Sequence, residues 1–269
     1  MELIPGVKKE EYSGYVLYHI ESLSAELKGE IRNHLVSVCH GTDQSKSSSK
    51  IYSYKATVKE FIRRYNTRKG STEDRKKGMI GELLIHIILE IEGRFSVASP
   101  FFNMEERSFK KGYDVALFDS NTSALWIAEV KSGEKQSAQK DASAAGIGLI
   151  NTAKNDLYKR LNDENESLWL NALNAARVSM SNCTHQKDAV IKLLEKCADD
   201  SVRGINSSSN HNVVLVGVLF HPMTERINSI KIGKKYGKIA KDKIFDNVFI
   251  ITIQKQTYEA VYDFLESEA

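Results

Sequence analysis

The sequence predicts an α/β fold in which helices flank a central mixed β-sheet. Val213–Phe220 and Val248–Ile253 are nearly continuous apolar runs, the pattern of strands buried on both faces. Tyr113–Phe118 and Ala124–Lys131 are two further extended segments, joined by Asp119-Ser-Asn-Thr-Ser123. That joint is rich in residues that make tight turns, so an antiparallel hairpin enters the sheet. Helical periodicity brackets both groups of strands, which gives helices packed around one sheet. The antiparallel hairpin argues against a doubly wound dinucleotide fold.

The elements follow in order. Tyr12 to Ser22 is rich in Tyr, Val and Ile and predicts a strand. Leu27, Ile31, Leu35 and Val38 keep helical spacing, as do Val58, Phe61, Ile62 and Tyr65, with the polar loop Ser45–Lys50 between them. Ser71-Thr-Glu-Asp74 has the hydroxyl-then-carboxylate pattern of a helix start. The helix it opens carries Ile80, Leu83, Leu84, Ile87 and Ile88 and stops at Gly93. Phe95 to Phe102 is a short extended segment. After the hairpin, Ile147, Ile150, Leu157 and Leu161 mark a long helix. Two helical stretches follow, around Leu168–Met180 and Asp188–Cys197. Tyr258, Val261, Tyr262 and Leu265 close the chain on an amphipathic helix. The expected organisation is an N-terminal elaboration over 1–70 packed on a core domain over 71–269, with a helical insertion at about 163–203.

Bulk properties narrow the function classes. The 269 residues suit one large domain, and 41% hydrophobic content is ordinary for a globular chain. A net charge of +3 does not by itself signal a polyanion partner, so any such site must come from clustering. No apolar run approaches the roughly 20 residues needed to span a bilayer, and the N-terminus lacks a signal-peptide pattern. Cys39, Cys183 and Cys197 are scattered, which suggests neither a disulfide framework nor a zinc ribbon. These features fit a cytoplasmic protein.

The chemistry-bearing pattern is Asp114 on one strand, Glu129-Val130-Lys131 at the end of the next, and Gly81-Glu82 on the preceding helix. Side chains alternate along a strand, so Leu125, Ile127, Glu129 and Lys131 share one face and Trp126, Ala128 and Val130 the other. An acid and an amine at a sheet end, beside a hairpin-paired Asp, can converge on one point. Phosphodiester hydrolysis needs such a set. Asp114, Glu129 and the Val130 main-chain carbonyl offer oxygen ligands to Mg2+ or Mn2+, and Lys131 can orient or deprotonate a water. Glu82 would add a carboxylate or hold a water. Taken alone, Glu129-Val-Lys131 is more often a solvated ion pair; the full order of four polar positions tips the balance toward a site. His86, one turn after Glu82, reads as a satisfied or surface histidine.

The set Glu82, Asp114, Glu129, Lys131 resembles the PD-(D/E)xK nuclease superfamily, with Tyr113 standing where that pattern's proline would be. The resemblance spans Asp74 to about Leu161 plus Val213–Phe220 and implies a restriction-endonuclease-like core. With Lys77-Gly-Met-Ile-Gly81-Glu82, Gly112-Tyr-Asp114 and Ile127-Ala-Glu-Val-Lys-Ser132, the chain is similar to the HamA family, the nuclease subunits of Hachiman anti-phage defence. That implies a metal-dependent DNase acting on DNA with a HamB-like helicase subunit, and with no membrane. The alternatives are a restriction- or repair-type nuclease of the same superfamily and a nucleic-acid-binding module that kept the fold without turnover.

Two basic clusters remain. Arg63, Arg64, Arg68, Lys69, Arg75, Lys76 and Lys77 lead into the helix bearing Glu82 and suit DNA contact. Lys231, Lys234, Lys235, Lys238, Lys241 and Lys243, with Tyr236 among them, suit a phosphate surface, a partner-docking edge or a solvated loop. Gly233-Lys-Lys-Tyr-Gly-Lys238-Ile239 lacks the spacing and the hydroxyl of a P-loop.

Overall fold

Among the described residues, eight strands form one sheet: β1 (Glu2–Ile4), β2 (Val7–Tyr12), β3 (Tyr15–Ile20), β4 (Phe95–Val97), β5 (Val115–Asp119), β6 (Ala124–Glu134), β7 (Asn212–Phe220) and β8 (Asn247–Lys255). Their order across the sheet is β1-β2-β3-β8-β7-β6-β5-β4. The computed structural model describes residues 1–67, 72–102, 114–163, 166–181 and 185–269. Arg68, Lys69, Ser71, Gly112, Tyr113 and Cys183 lie outside the described residues.

The sheet is mixed. The neighbours β3–β8, β8–β7 and β7–β6 are parallel, while the pairs at each side are antiparallel. The apolar runs of β7 and β8 lie at its centre, buried almost throughout, as strands with helices over both faces require. The N-terminal strands belong to the same sheet through the β3–β8 pairing.

Helices cover both faces. On one lie α1 (Ala25–His40), α3 (Tyr54–Thr67), α4 (Glu73–Glu92) and α9 (Glu259–Glu266), with the short α2 (Thr42–Ser45) after α1. Leu27, Ile31, Phe61, Ile80, Leu84 and Val261 pack there with Ala128, Val130 and Val216. On the other lie α5 (Ala142–Leu161), α6 (Glu166–Ser179), α7 (His185–Val202) and α8 (Ser229–Asp242). Ile150, Leu157, Trp169, Leu194 and Ile239 pack there with Ile127, Val213 and Leu215. The alternation expected of β6 thus sends its two sets of side chains into two separate cores.

Three local expectations change. The strand expected over Tyr12 to Ser22 is β3 of a hairpin, preceded by β2 and a turn in which Gly14 has φ 87°. Phe95 to Phe102 is a strand only as far as Val97. The lysine-rich segment is a helix, α8, because Ile232 and Ile239 fall on one face and are buried. Its first turn is capped by Asn228, whose side-chain oxygen accepts from the Lys231 N–H at 3.2 Å.

The α4 contact with β6 is unusually close. A Cβ at Gly81 would sit 1.9 Å from Ser132 Oγ and 2.8 Å from Ser132 Cβ, so the helix can lie this near only with glycine there. Among the described residues, no helix is long and apolar enough to cross a membrane.

Candidate active site

The hairpin sets the geometry. Its register pairs Asp119 with Ala124 and Val115 with Ala128, so Asp114, immediately before β5, falls opposite Glu129. The loop is closed by local chemistry: Asp119 Oδ1 accepts from the Asn121 N–H at 2.9 Å, and Ser123 takes a left-handed φ of 52°. Asp114 Oδ2 accepts from the Val130 N–H at 2.9 Å, which fixes its carboxylate beside the strand end.

Glu129 is fully buried, at 0% exposure, and both its oxygens meet cations. Lys131 Nζ donates to Oε1 at 2.8 Å, and Arg160 Nη1 donates to Oε2 at 2.9 Å. The same Arg160 nitrogen lies 4.0 Å from Asp114 Oδ1, and Lys131 Nζ lies 2.8 Å from Asp156 Oδ2. The structure therefore brings together Asp114, Glu129 and Lys131. It adds Asp156 and Arg160, one turn apart on α5, which sequence reasoning missed. The signal was there in weak form: both flank the apolar stripe of Ile150, Ala153, Leu157 and Leu161. A polar pair so spaced reads equally as a surface ion pair.

The electrostatics are those of charge held out of water. Burial, then the nearby Asp114 charge, raises the Glu129 carboxyl to about 7 against the opposing pull of Arg160 and Lys131. Burial alone would lower the Lys131 ammonium, but Glu129, Asp156 and Asp114 outweigh it and hold its pKa above the ordinary value. A carboxyl whose folded-state pKa is raised contributes stability at low pH that is lost as pH rises through the folded value. Stability should therefore fall between pH 4.5, the ordinary value, and about 7. Urea midpoints across that window should show this slope, and Glu129→Gln should remove its share of it. An unchanged slope in the variant would mean that the group responsible is another one.

Glu82 is placed differently. It is half-buried on α4, whose buried residues pack on the Ala128 and Val130 face, while Glu129 and Lys131 project to the face that α5 covers. Among the described residues, no group of three or more His, Cys, Asp or Glu is arranged to share one metal ion. His86 is buried in the same layer as α4, and burial lowers its pKa to about 4, which keeps it neutral.

The two basic clusters also separate. Arg63 and Arg64 bind Glu60, Lys76 lies 3.2 Å from Glu73, and Lys77 is buried with its amine 2.7 Å from Glu134; Arg75 is exposed. On α8, the lysines at 231, 234, 235, 238 and 241 share one side of the helix, away from buried Ile232 and Ile239. Among the described residues, Lys234, Lys235 and Lys238 make no salt bridge. Lys235 is half-buried, and burial together with Lys154 of α5 and Lys238 lowers its pKa.

Comparison with curated proteins finds no match. The family model of HamA, however, matches residues 4–269, and so takes in strands β2 to β8, both helical layers and every residue of the site. The chain belongs to the HamA family.

Proposed function

We propose that this Hachiman-type defence protein is a metal-dependent deoxyribonuclease of PD-(D/E)xK type, acting in the cytoplasm with a HamB-like helicase partner. The observation that carries the proposal is the convergence of Asp114 and the fully buried Glu129 at one strand end, beside Lys131. Two carboxylates this close, one of them out of water, make a seat that favours a hard cation, so the residues fit Mg2+ or Mn2+. When bound, such an ion supplies charge neutralisation at the phosphate and a more acidic water.

The chain's own residues do the rest. Asp114 and Glu129, with the Val130 carbonyl, would hold the ion. Lys131 is kept charged by its carboxylate neighbours, so it suits orienting a water and stabilising negative charge better than accepting a proton. Glu82, on α4 over the other face of the sheet, takes no step in this scheme. Because the seat needs Glu129 ionised, cleavage at limiting metal should rise with pH up to about 7 and level off above it. The direct test is purified protein with linear duplex DNA. Cleavage should require Mg2+ or Mn2+ and vanish with chelator. Cleavage in excess chelator, or none under any metal, would reject the enzyme.

The α8 lysines offer a backbone surface on the same side of the sheet as Glu129 and Lys131, with Lys154 of α5 adjoining. Lys231 pairs with Asp141, whereas Lys234, Lys235 and Lys238, which make no salt bridge among the described residues, favour a polyanion. Neutralising Lys234, Lys235 and Lys238 together should weaken DNA binding and reduce its log–log salt slope by roughly one unit per lost phosphate contact. Turnover on saturating DNA should survive. An unchanged slope would assign α8 a role other than DNA contact, and a slope flattened instead by neutralising Arg75, Lys76 and Lys77 would assign the contacts to α4.

Backbone contacts carry no sequence information, so such an enzyme needs restraint on host DNA. A helicase partner that holds it quiet until abnormal DNA is engaged would supply that. The two proteins should co-purify, and phage protection should be lost in Glu129→Ala.

A further inference from the structure

Arg160 is the least explained member of the site. Its guanidinium reaches Glu129 Oε2 through Nη1 at 2.9 Å, and the same nitrogen is 4.0 Å from Asp114 Oδ1. A guanidinium built as a permanent structural partner usually grips a carboxylate with two parallel bonds in a dry setting. Here a single nitrogen serves two carboxylates, one at the limit of contact, and the side chain is 29% exposed. The hold is that of a counterion, and it falls in the space between the two carboxylates that a divalent ion would have to enter.

A second acceptor lies ready on the same helix. Asp156 is one turn before Arg160, the favourable order for a helical acid–base pair, and its side chain is 46% exposed. Lys131 Nζ lies 2.8 Å from Asp156 Oδ2.

Resting on the nuclease function proposed above, we propose that Arg160 is a resident counterion that guards the Asp114–Glu129 seat and must withdraw toward Asp156 before a divalent cation can enter. The guanidinium and the ion compete for the same oxygens, so the seat is open only for the fraction of time that Arg160 is away. The apparent metal affinity is reduced by that fraction. Arg160 thereby acts as a gating residue, and anything that stabilises its withdrawn position, such as a DNA phosphate near α5, would load the site.

The test is calorimetric titration of Ca2+, an ion used for binding alone, into the full chain at one fixed pH for all variants. R160Q should bind Ca2+ about tenfold more tightly than the parent, the penalty for a seat open one-tenth of the time. R160K, which keeps the charge but shortens the reach, should fall between them and serves if R160Q does not fold. K159Q removes an exposed neighbouring charge from the same helix and should leave the affinity unchanged. Equal or weaker binding by both Arg160 variants overturns the gate while leaving the nuclease reading intact. A K159Q gain as large as that of R160Q also overturns it, since the effect would then be general charge. No Ca2+, Mg2+ or Mn2+ binding by any variant overturns both the gate and the metal-dependent function.

Discussion

DNA cleavage by Glu129→Gln is expected to fall by about a thousandfold or more, equal to about 4 kcal/mol of lost transition-state stabilisation. The side chain is fully buried and bonded to Lys131 and Arg160, so the substitution keeps the packing volume and removes only the charge. Lys131 retains Asp156 and Arg160 retains Asp114 as neighbours, so neither cation is stranded. Far-UV circular dichroism should be unchanged and the melting temperature should shift by only a few degrees, which separates lost chemistry from lost fold. Lys131→Ala should lose activity as well. Asp114→Ala should too, though it also removes the acceptor of the Val130 N–H and is the less clean probe. Near-parental cleavage by Glu129→Gln would remove this carboxylate from the mechanism.

Trp169→Ala is expected to cost about 3–5 kcal/mol, a large part of the roughly 5–15 kcal/mol that holds a typical domain. Trp169 lies on α6, is 1% exposed and packs with the His211 ring at 5.0 Å. It belongs to the same core as Ile127 of β6 and Ile150 of α5, so the cavity would open in the layer that presents Asp156 and Arg160. Urea denaturation should show a lower midpoint in one transition. Loss of a separate early transition, with the main one untouched, would mean instead that the α6–α7 helices fold as an independent appendage.

The sequence by itself determined the hairpin and the face that Glu129 shares with Lys131. Turn chemistry at Asp119–Ser123 signals the hairpin, and strand alternation puts Glu129 on one face with Lys131; the register that sets Asp114 opposite Glu129, with Asp119 paired to Ala124, is a finding of the structure. Both rules act between residues close along the chain or across one tight turn, so they are legible without knowing where anything docks. The apolar runs of β7 and β8 were legible for a similar reason, since burial on both faces leaves no polar alternation.

Tertiary structure alone decided which helix meets which face. Asp156 and Arg160 join Glu129 because α5 lies on the Ile127 side of the sheet, whereas α4 carries Glu82 on the Val130 side, drawn close at Gly81. Lys77, which reads as a free cation in the sequence, is buried against Glu134, while the α8 lysines remain exposed or half-buried on one helical side. Such pairings join residues far apart in sequence, and their free energy comes from the whole apolar face each helix buries. No local spacing records that choice.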